Sequence, residues 1–443
     1  MKKSIGILTG GGDVPPLNAL IASAAETARA AGAELIGFIK GWEGVLEEKF
    51  VELTEFPLNP EIGGTVLKSS RTSIGRVENS REKALGVLAK LGLEGLIVVG
   101  GEDTLSNAFF LGGYRQVLIA KTIDNDVGKM DALEDEKTAR GRAKGSPLAR
   151  GLYRRASTAE MDPRAKPGAP AGAGVRANAP APAAVEFDPQ NVLNYFTLGF
   201  PTAADKIASF VSLREGLRTT AYSHERIIVV EAMGMHAGWL ALAAGLGHPD
   251  FIIIPEFPLD YKRFLDTVIS AYERRRHLII VVAEGAKWAD GSFISAEDDE
   301  GPDYGHPKFG GAAEALKNRL KKDLADFFDT RNVNAVNPSY LYRSGASIPL
   351  DRVWAEKLGR RAVAVLLGPG RETSLLTIQR RGSGFEVEEY SLSRFASMAE
   401  LHRFVDGRFY DPVSFGITEA GKNYFKEIAH EFILEGKYGL NER

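Results

Sequence analysis

Short apolar runs of β type alternate with helical patterns along most of this chain. Glycines or polar residues follow each run in SIGILTGGGD, ELIGFIKG, GLIVVGG, VLIAKTIDND, ERIIVVEAMG, DFIIIPE and HLIIVVAEG. Helical segments such as LNALIASAAETARAAG and SREKALGVLAKLG lie between them. This alternation predicts an α/β fold with mainly parallel sheets and helices on both faces. Ligands then bind beyond the carboxyl ends of the strands.

Two such strand ends carry the residue types that phosphate chemistry requires. The run LIVVGGEDT brings glycines to Glu102 and Asp103, and the next run ends in KTIDND, which contains Lys121 and Asp124. Glycines let the backbone approach a phosphate, and either acidic residue of the first run could hold Mg²⁺. Asp124 is a candidate base, and Lys121 could neutralise charge on a moving phosphoryl group. Alternatively, both segments are purely structural turns.

Length and composition limit the class of protein. A chain of 443 residues predicts two or three domains, and the lack of cysteine excludes disulfides and thiolate metal sites. The net charge of −3 does not favour a nucleic-acid partner. The N-terminal apolar stretch is too short for a signal peptide, and no stretch approaches the length of a membrane span. We therefore expect a cytoplasmic protein without membrane partners.

One segment interrupts the α/β pattern. Residues 139–184 contain nine Lys or Arg against Glu160 and Asp162, and they have few large apolar side chains. Such a segment cannot bury enough apolar surface to order itself, so the low-complexity insertion over 127–190 is predicted to be disordered. It is either a tolerated surface insertion or a basic arm that closes over anionic ligands or docks on a partner.

The chain resembles the 6-phosphofructokinase family, closest to its pyrophosphate-dependent branch. The resemblance rests on ILTGGGDVPPLN, GGTVLKSSR, GGEDT, KTIDND, SHERIIVVEAMG, HAGWLAL, VVAEG and YLYRSG, which occur in family order between about residues 4 and 365. It implies two Rossmann-like three-layer domains with the active site in the cleft between them. Residues 1–126 with about 343–395 would bind the phosphoryl donor, and 191–342 the sugar phosphate. Residues 396–443 would form a C-terminal helical extension.

The resemblance also implies roles on the donor side. Gly11, Gly12 and Arg71 match residues that contact the donor phosphates, and Asp124 matches the base that takes the proton from the sugar's 1-hydroxyl. The cofactor would be Mg²⁺, held by Glu102 and Asp126.

Two positions bear on the identity of the donor. Where ATP-using relatives have glycine, this chain has Asp103, whose side chain and charge would exclude the α-phosphate of a nucleotide. The residue before TIDND is Lys121, as in pyrophosphate users, and its ammonium suits a compact, highly charged leaving group. Both positions indicate diphosphate as the donor.

On the acceptor side, the resemblance implies a site for fructose 6-phosphate. Tyr340 and Arg343 would grip the sugar phosphate, Glu284 would bind sugar hydroxyls, and Arg226 would reach the neighbouring site of a homodimer or homotetramer. The full expected set of substrate-binding residues is Thr122, Ile123, Asp124, Arg226, Met233, Gly234, Met235, Glu284, Tyr340 and Arg343.

Two positions depart from the family pattern. Met235 stands where an arginine near the transferred phosphoryl group is usual, and Asn334 stands near the expected place of a second subunit-crossing arginine. These departures leave open another acceptor, such as sedoheptulose 7-phosphate, or a catalytically silent regulatory subunit. His236 is expected to be a packed or hydrogen-bonded residue at a helix start rather than a metal ligand, since the histidines show no ligand spacing.

Overall fold

The computed structural model of the protein describes residues 2–76, 78–130, 187–295, 311–370 and 372–428. Of the insertion predicted over 127–190, residues 131–186 lie outside the described residues, as does the chain after residue 428. Its described ends form bridges at Val127 and Lys129 and a 3₁₀ turn at Pro189–Asn191. No helix in the described part of the chain is long and apolar enough to cross a membrane.

The helices and strands follow the predicted alternation. The α-helices of the described residues are α1 Leu17–Ala30, α2 Trp42–Leu46, α3 Ser80–Lys90, α4 Glu102–Phe110, α5 Phe200–Val211, α6 Arg218–Ser223, α7 Trp239–Ala243, α8 Tyr261–Arg275, α9 Ala312–Asp323, α10 Pro349–Leu367 and α11 Glu419–Lys426. The strands are β1 Ser4–Thr9, β2 Glu34–Phe38, β3 Phe50–Glu52, β4 Leu93–Gly100, β5 Gln116–Thr122, β6 Leu198–Gly199, β7 Ile227–Ala232, β8 Phe251–Ile253, β9 Leu278–Ala283, β10 Val333–Val336, β11 Ser374–Arg381, β12 Gly384–Ser391, β13 Tyr410–Asp411 and β14 Gly416–Ile417.

The larger sheet of the described residues has eight strands in the order β12-β11-β5-β4-β1-β2-β3, with β6 paired to β5. The strands from β11 through β5, β4 and β1 to β2 are parallel, while β12 and β3 add antiparallel edges. Val98 lies opposite Leu118 of β5 and Leu8 of β1, so these three strands end at the same edge. The loops after β1, β4 and β5 therefore lie side by side.

The second sheet is entirely parallel in its described strands, in the order β10-β7-β9-β8. Strands β7 and β9 are completely buried, as expected for a parallel sheet covered by helices. The α/β class with mostly parallel sheets is confirmed.

Helices α1 and α10 pack closely against each other beside the larger sheet. A side chain at Gly359 of α10 would bring its Cβ within 2.3 Å of the Ser23 Oγ of α1. Helix α10 begins with Pro349. Proline lacks a backbone N–H, but at the start of a helix that N–H would have no intrahelical acceptor, so no hydrogen bond is lost. The segment that follows Tyr342 thus returns to the first sheet and adds β11 and β12 to it.

The C-terminal extension differs from the expected helical one. Over residues 396–428 the α-helix covers Glu419–Lys426 alone, and the rest contains a 3₁₀ turn at Met398–Leu401, the short β13–β14 pair and loops. Aspartate, glycine and proline in RFVDGRFYDPVSFG favour turns over helix. Tyr424 of α11 is fully buried and stacks on Tyr195 with a ring-centroid distance of 4.6 Å. The extension is therefore inserted into the core.

Candidate active site

The first glycine loop follows β1 at the edge where β1, β4 and β5 end. Gly11 has a φ of +76°, which favours glycine, and its N–H donates to the Ser70 carbonyl at 3.0 Å. The N–H of Gly10 donates to the Val99 carbonyl at 3.0 Å. The loop is thus held against the GGTVLKSSR segment on one side and β4 on the other.

Two cations lie against this loop at Gly12. The Lys121 Nζ donates a hydrogen bond to the Gly12 carbonyl. A Cβ at Gly12 would lie 2.4 Å from the Arg343 Nη1, so the guanidinium occupies the space that any side chain would need. The resemblance implied a place for Arg343 at the sugar phosphate, and the structure shows its guanidinium beside the donor loop.

Lys121 is almost completely buried, with 2% of its surface exposed. Burial lowers the pKa of Lys121 to about 7, and the positive charge of Arg343 adds to this effect. Asp13 and Asp124 act in the opposite direction, because a negative charge favours the ammonium form. A polyanion bound at the loop would favour the ammonium form in the same way.

Glu102 and Asp103 form the first turn of helix α4. Acidic residues are stabilised at this end of a helix by its partial positive charge. The side chain of Asp103 is exposed, and its carbonyl accepts from Asn107 Nδ2 at 3.0 Å. Glu102 Oε2 lies 2.6 Å from His402 Nε2. Both carboxylates thus lie at the edge that also carries Lys121.

Asp124 lies in the loop directly after β5. Its N–H donates to Thr122 Oγ1 at 3.0 Å, and its Oδ1 is buried without a hydrogen-bond partner among the described residues. The next residue, Asn125, has a φ of +54°, and its Oδ1 accepts from the Thr197 N–H at 3.1 Å. A buried oxygen without a partner is costly, so it suits an atom that receives a ligand's proton or hydroxyl.

Negative charge accumulates around Asp126. Burial raises the pKa of Asp126 above the usual aspartate value, the charge of Asp124 raises it further, and His402 lowers it. Glu102 contributes in the same direction as Asp124. Such a set of carboxylates fits a divalent cation, whose charge would relieve their repulsion.

The described residues do not form a metal site made of protein ligands alone. Among them, no three Asp, Glu or His side chains are grouped so that they could hold a metal ion. Mg²⁺ does not require one, because it commonly binds through one or two carboxylates together with substrate phosphates and water. Glu102 and Asp126 were expected to hold the cation, and two carboxylates match the number of protein ligands in that mode.

The second sheet presents Glu284 after β9 and the segment Met233–Met235 after β7. Glu284 Oε1 accepts from the Gly234 N–H at 3.1 Å. Burial raises the pKa of Glu284 to about 7, with a further contribution from the negative charge of Asp124. Since Asp124 belongs to the first sheet, the carboxyl edges of the two sheets face each other across the site.

The remaining expected residues lie in different surroundings. Ile123 is fully buried in the core, so only its backbone could contact a ligand. Arg71 is exposed, and its positive charge helps to lower the pKa of Lys121, so it lies near the donor loop. Tyr340 is 76% exposed. Arg226 Nη1 donates to Thr220 Oγ1 at 2.6 Å within its own chain. Asn334 donates to the Asn332 carbonyl at 3.0 Å in β10.

Two residues at this site were missed by sequence reasoning, namely His402 and Arg403. They lie in the C-terminal extension, and 300 positions separate His402 from its partner Glu102. No local motif marks them. The ring of His236 lies 6.5 Å from that of His402, measured between centroids.

Comparison with known proteins identifies the family. The model of the family described as phosphofructokinase matches residues 4–134 and 190–366. The pyrophosphate–fructose 6-phosphate 1-phosphotransferase of Dictyoglomus thermophilum is 32% identical over 368 residues, covering 82% of this chain and 86% of that protein. The ATP-dependent 6-phosphofructokinase 3 of Streptomyces coelicolor is 31% identical over 393 residues, covering 86% and 92%.

The fold has close counterparts among solved structures. The pyrophosphate-dependent phosphofructokinase of Nitrosospira multiformis superposes with a TM-score of 0.70 over 99% of this chain and 95% of that chain, at 20% identity. Because the family model and both relatives cover most of the sequence, this chain belongs to the phosphofructokinase family of phosphotransferases.

Proposed function

We propose that this protein is a pyrophosphate-dependent 6-phosphofructokinase, acting as a cytoplasmic homo-oligomer. It transfers a phosphoryl group from diphosphate to the 1-hydroxyl of fructose 6-phosphate and yields fructose 1,6-bisphosphate and phosphate. The loops of the larger sheet, formed by residues 1–126 and about 343–395, bind the donor. The second sheet, within residues 191–342, binds the sugar phosphate.

The observation that carries the proposal is the pair of cations at Gly12. Lys121 donates to the Gly12 carbonyl, and Arg343 fills the space beside the same residue. Two positive charges at one glycine loop suit a small donor whose charge is concentrated in two phosphates. Their mutual repulsion costs free energy without a ligand, and a bound diphosphate would relieve it.

Asp103 supports the same choice of donor. It lies in the first turn of α4, directly after β4, and β4 pairs with the strand β5 that carries Lys121. Its negative charge would repel the α-phosphate of a nucleotide, whereas diphosphate has no group at that position. Discrimination by a repulsive charge is a common route to specificity.

Asp124 is the proposed base. Its buried Oδ1 has no partner among the described residues and so has capacity to accept the proton of the 1-hydroxyl as the phosphoryl group is attacked. Thr122 and Glu284 would hold the sugar hydroxyls beside it. The proton of the 1-hydroxyl is thus transferred to Asp124 Oδ1, the oxygen that receives no hydrogen bond from the described residues.

Glu102 and Asp126 would hold the cofactor Mg²⁺. When bound, the cation would offset the negative charge of the phosphoryl groups. The carboxylates themselves contribute orientation: Glu102 is fixed at the start of α4, and Asp126 by the loop after β5.

Met235 removes one positive charge that the family usually places near the transferred phosphoryl group. Loss of one such group can lower turnover by about 10²-fold. Arg343 offers partial compensation, because its guanidinium lies at the donor loop rather than solely at the sugar phosphate. The missing charge at Met235 should therefore lower turnover. The reaction should still run readily in both directions, because phosphate is a leaving group similar in energy to the product ester.

The proposal is tested by a phosphoryl-transfer assay with Mg²⁺ and fructose 6-phosphate, comparing diphosphate with ATP. Turnover with diphosphate alone is expected. The double variant Asp103→Gly with Lys121→Gly should gain use of ATP, and a double variant that still ignores ATP would count against the assignment. The variant Asp103→Asn is the matched control, because it removes the charge and keeps the volume.

Two other functions have specific support. The relative named ATP-dependent is nearly as similar as the one named for pyrophosphate, so turnover with ATP alone would assign the donor differently. Met235 and Asn334 favour another acceptor, and the same assay with sedoheptulose 7-phosphate tests it. No turnover with any pair would indicate a silent regulatory subunit.

A further inference from the structure

Arg403 lies in the C-terminal extension, outside the residues that the phosphofructokinase model matches. Only 2% of the residue is exposed, yet its side chain is a guanidinium, which keeps its positive charge in proteins. Taking such a charge out of water is costly, and it is tolerated where hydrogen bonds replace the lost water. The partners of this guanidinium therefore show what it holds in place.

The guanidinium donates to oxygens of three residues. Its Nε and Nη2 donate to the Asn125 carbonyl at 2.9 and 2.8 Å, and Nη2 also donates to Asn125 Oδ1. Its Nη1 donates to the Asn194 and Tyr195 carbonyls at 2.6 and 3.2 Å. These five hydrogen bonds match the five N–H donors that arginine has in one plane. Three of the five end on Asn125, which is therefore the main residue that Arg403 fixes.

Asn125 lies between Asp124, the proposed base, and Asp126. Its φ is +54°, a conformation that asparagine adopts more readily than most other residues. The Arg403 N–H donates to the Asp126 carbonyl at 2.8 Å, so Arg403 binds two consecutive carbonyls of this turn. On the other side, the Asp124 N–H donates to Thr122 Oγ1 at 3.0 Å. Hydrogen bonds thus fix the backbone on both sides of the Asp124 side chain.

Arg403 is also joined to the part of the chain that contains the second sheet. Its Cζ lies 5.1 Å from the centroid of the Trp239 ring, and its carbonyl accepts from Trp239 Nε1 at 3.1 Å. A guanidinium over an indole is an attractive contact. Trp239 begins α7, which follows β7 of the second sheet. Arg403 therefore connects the loop of the base to the sheet that is proposed to bind the sugar phosphate.

We propose that Arg403 is a positioning residue that holds the Asp124 carboxylate in the geometry required to take the proton of the 1-hydroxyl. It acts through the backbone and side chain of Asn125. The inference rests on the proposed function, in which Asp124 is the base. Since a misplacement of about 1 Å can cost about 10²-fold in rate, a looser turn should lower kcat more than it changes binding of the donor.

A purely structural role of Arg403 predicts a different result. Its replacement would then lower the melting temperature, and any loss of kcat would be the same whether or not residue 124 is a base. If Arg403 acts through Asp124, its replacement should lower kcat only while the carboxylate is present, because residues that act as a unit have non-additive effects. The combination with Asp124→Asn therefore separates the two roles.

The experiment is a double-mutant cycle on the purified full-length protein with Mg²⁺, fructose 6-phosphate and diphosphate, below the melting transition of every variant. Arg403→Lys keeps the charge but replaces the planar fork of donors by a single ammonium. We expect it to lower kcat by about 10²-fold while KM for diphosphate stays constant. In the Asp124→Asn background, the same change should lower kcat no further.

Arg380→Lys is the matched control. Arg380 also joins the core to the C-terminal extension, because its Nη1 lies 2.9 Å from Glu427 Oε2, and it belongs to β11 rather than to the loop of the base. This variant should leave kcat unchanged in both backgrounds.

A normal kcat in Arg403→Lys would overturn the inference, and so would an equal loss of kcat in both backgrounds. If Arg403→Lys does not fold, Arg403→Gln takes its place in the same cycle. Failure of both variants to fold would assign Arg403 to folding alone and would also overturn the inference.

Turnover of the wild type distinguishes this failure from that of the proposed function. If the wild type uses diphosphate and the effects in the cycle are additive, only the inference fails. If the wild type uses ATP alone, the proposed donor is wrong, and the same cycle with ATP still tests Arg403. If the wild type uses no donor, the proposed function fails and the inference fails with it.

Discussion

The donor edge of the site consists of the loops after β1, β4 and β5, and the acceptor edge carries Arg226, Glu284 and Tyr340. The two edges are organised differently. At the donor edge Lys121 is buried and bonded to the glycine loop, and the backbone of Gly11 is held by Ser70. At the acceptor edge Tyr340 is 76% exposed, and Arg226 bonds to Thr220 of its own chain. We infer that the donor edge is preorganised within one chain, while the acceptor edge is completed by the sugar phosphate and a neighbouring subunit.

The strongest test of a preorganised donor edge is Asp124→Asn, which keeps the shape and removes the base. We expect kcat to fall by about 10²-fold to 10⁴-fold with little change in KM. Steady-state kinetics with diphosphate and fructose 6-phosphate measure this effect. Asp290→Asn, at an exposed turn, is the control and should leave kcat unchanged. A loss below tenfold in Asp124→Asn would remove this residue from its proposed role.

Lys121→Met should have the next largest effect. The ammonium is proposed to stabilise charge on the leaving phosphate, and loss of one such group costs about 10²-fold to 10³-fold in kcat. The matched control is Lys83→Met on the exposed face of α3. If Lys121→Met changed only thermal stability, the buried lysine would be a structural residue, and the donor edge would need another cation.

Arg226→Ala tests the acceptor edge. A charged hydrogen bond to a phosphate is worth about 1.5–3 kcal/mol, so KM for fructose 6-phosphate should rise by about 10-fold to 100-fold while KM for diphosphate stays constant. Mixing this variant with Asp124→Asn would show whether Arg226 acts across subunits. Recovery of activity in the mixture is expected, and a mixture without recovery would confine Arg226 to its own chain.

A smaller effect is expected from pH. The pKa of Glu284 is raised to about 7 by burial and by Asp124, so the residue is neutral below that pH. Its carboxylate fraction then falls from about one half at pH 7 to about one tenth at pH 6, and KM for fructose 6-phosphate should rise by about fivefold over that range. In Glu284→Gln this part of the pH dependence should vanish. An identical pH profile in both proteins would contradict the role of Glu284 at the acceptor edge.

Most strands and helices could be predicted because their signals are local. The glycine loop, the GGEDT turn and the KTIDND loop each follow a continuous apolar strand, and parallel pairing of β1, β4 and β5 brings them to one edge. The C-terminal extension was expected to be helical, whereas α11 covers only residues 419–426 of its described part. Residues 401–403 of the extension pair with residues 126–128, far away in sequence, and such contacts leave no periodic pattern.

Residue types and their order along the chain were therefore sufficient to predict the α/β class, the parallel sheets and the candidate residues at the strand ends. They could not reveal that Arg343 approaches Gly12, that Ile123 is directed into the core, or that His402 bonds to Glu102. Strand and helix formation depends on neighbours within a few positions, so a linear sequence records it. Contacts between residues up to 300 positions apart depend on how the two sheets and the C-terminal extension pack together. That packing exists only in the folded chain.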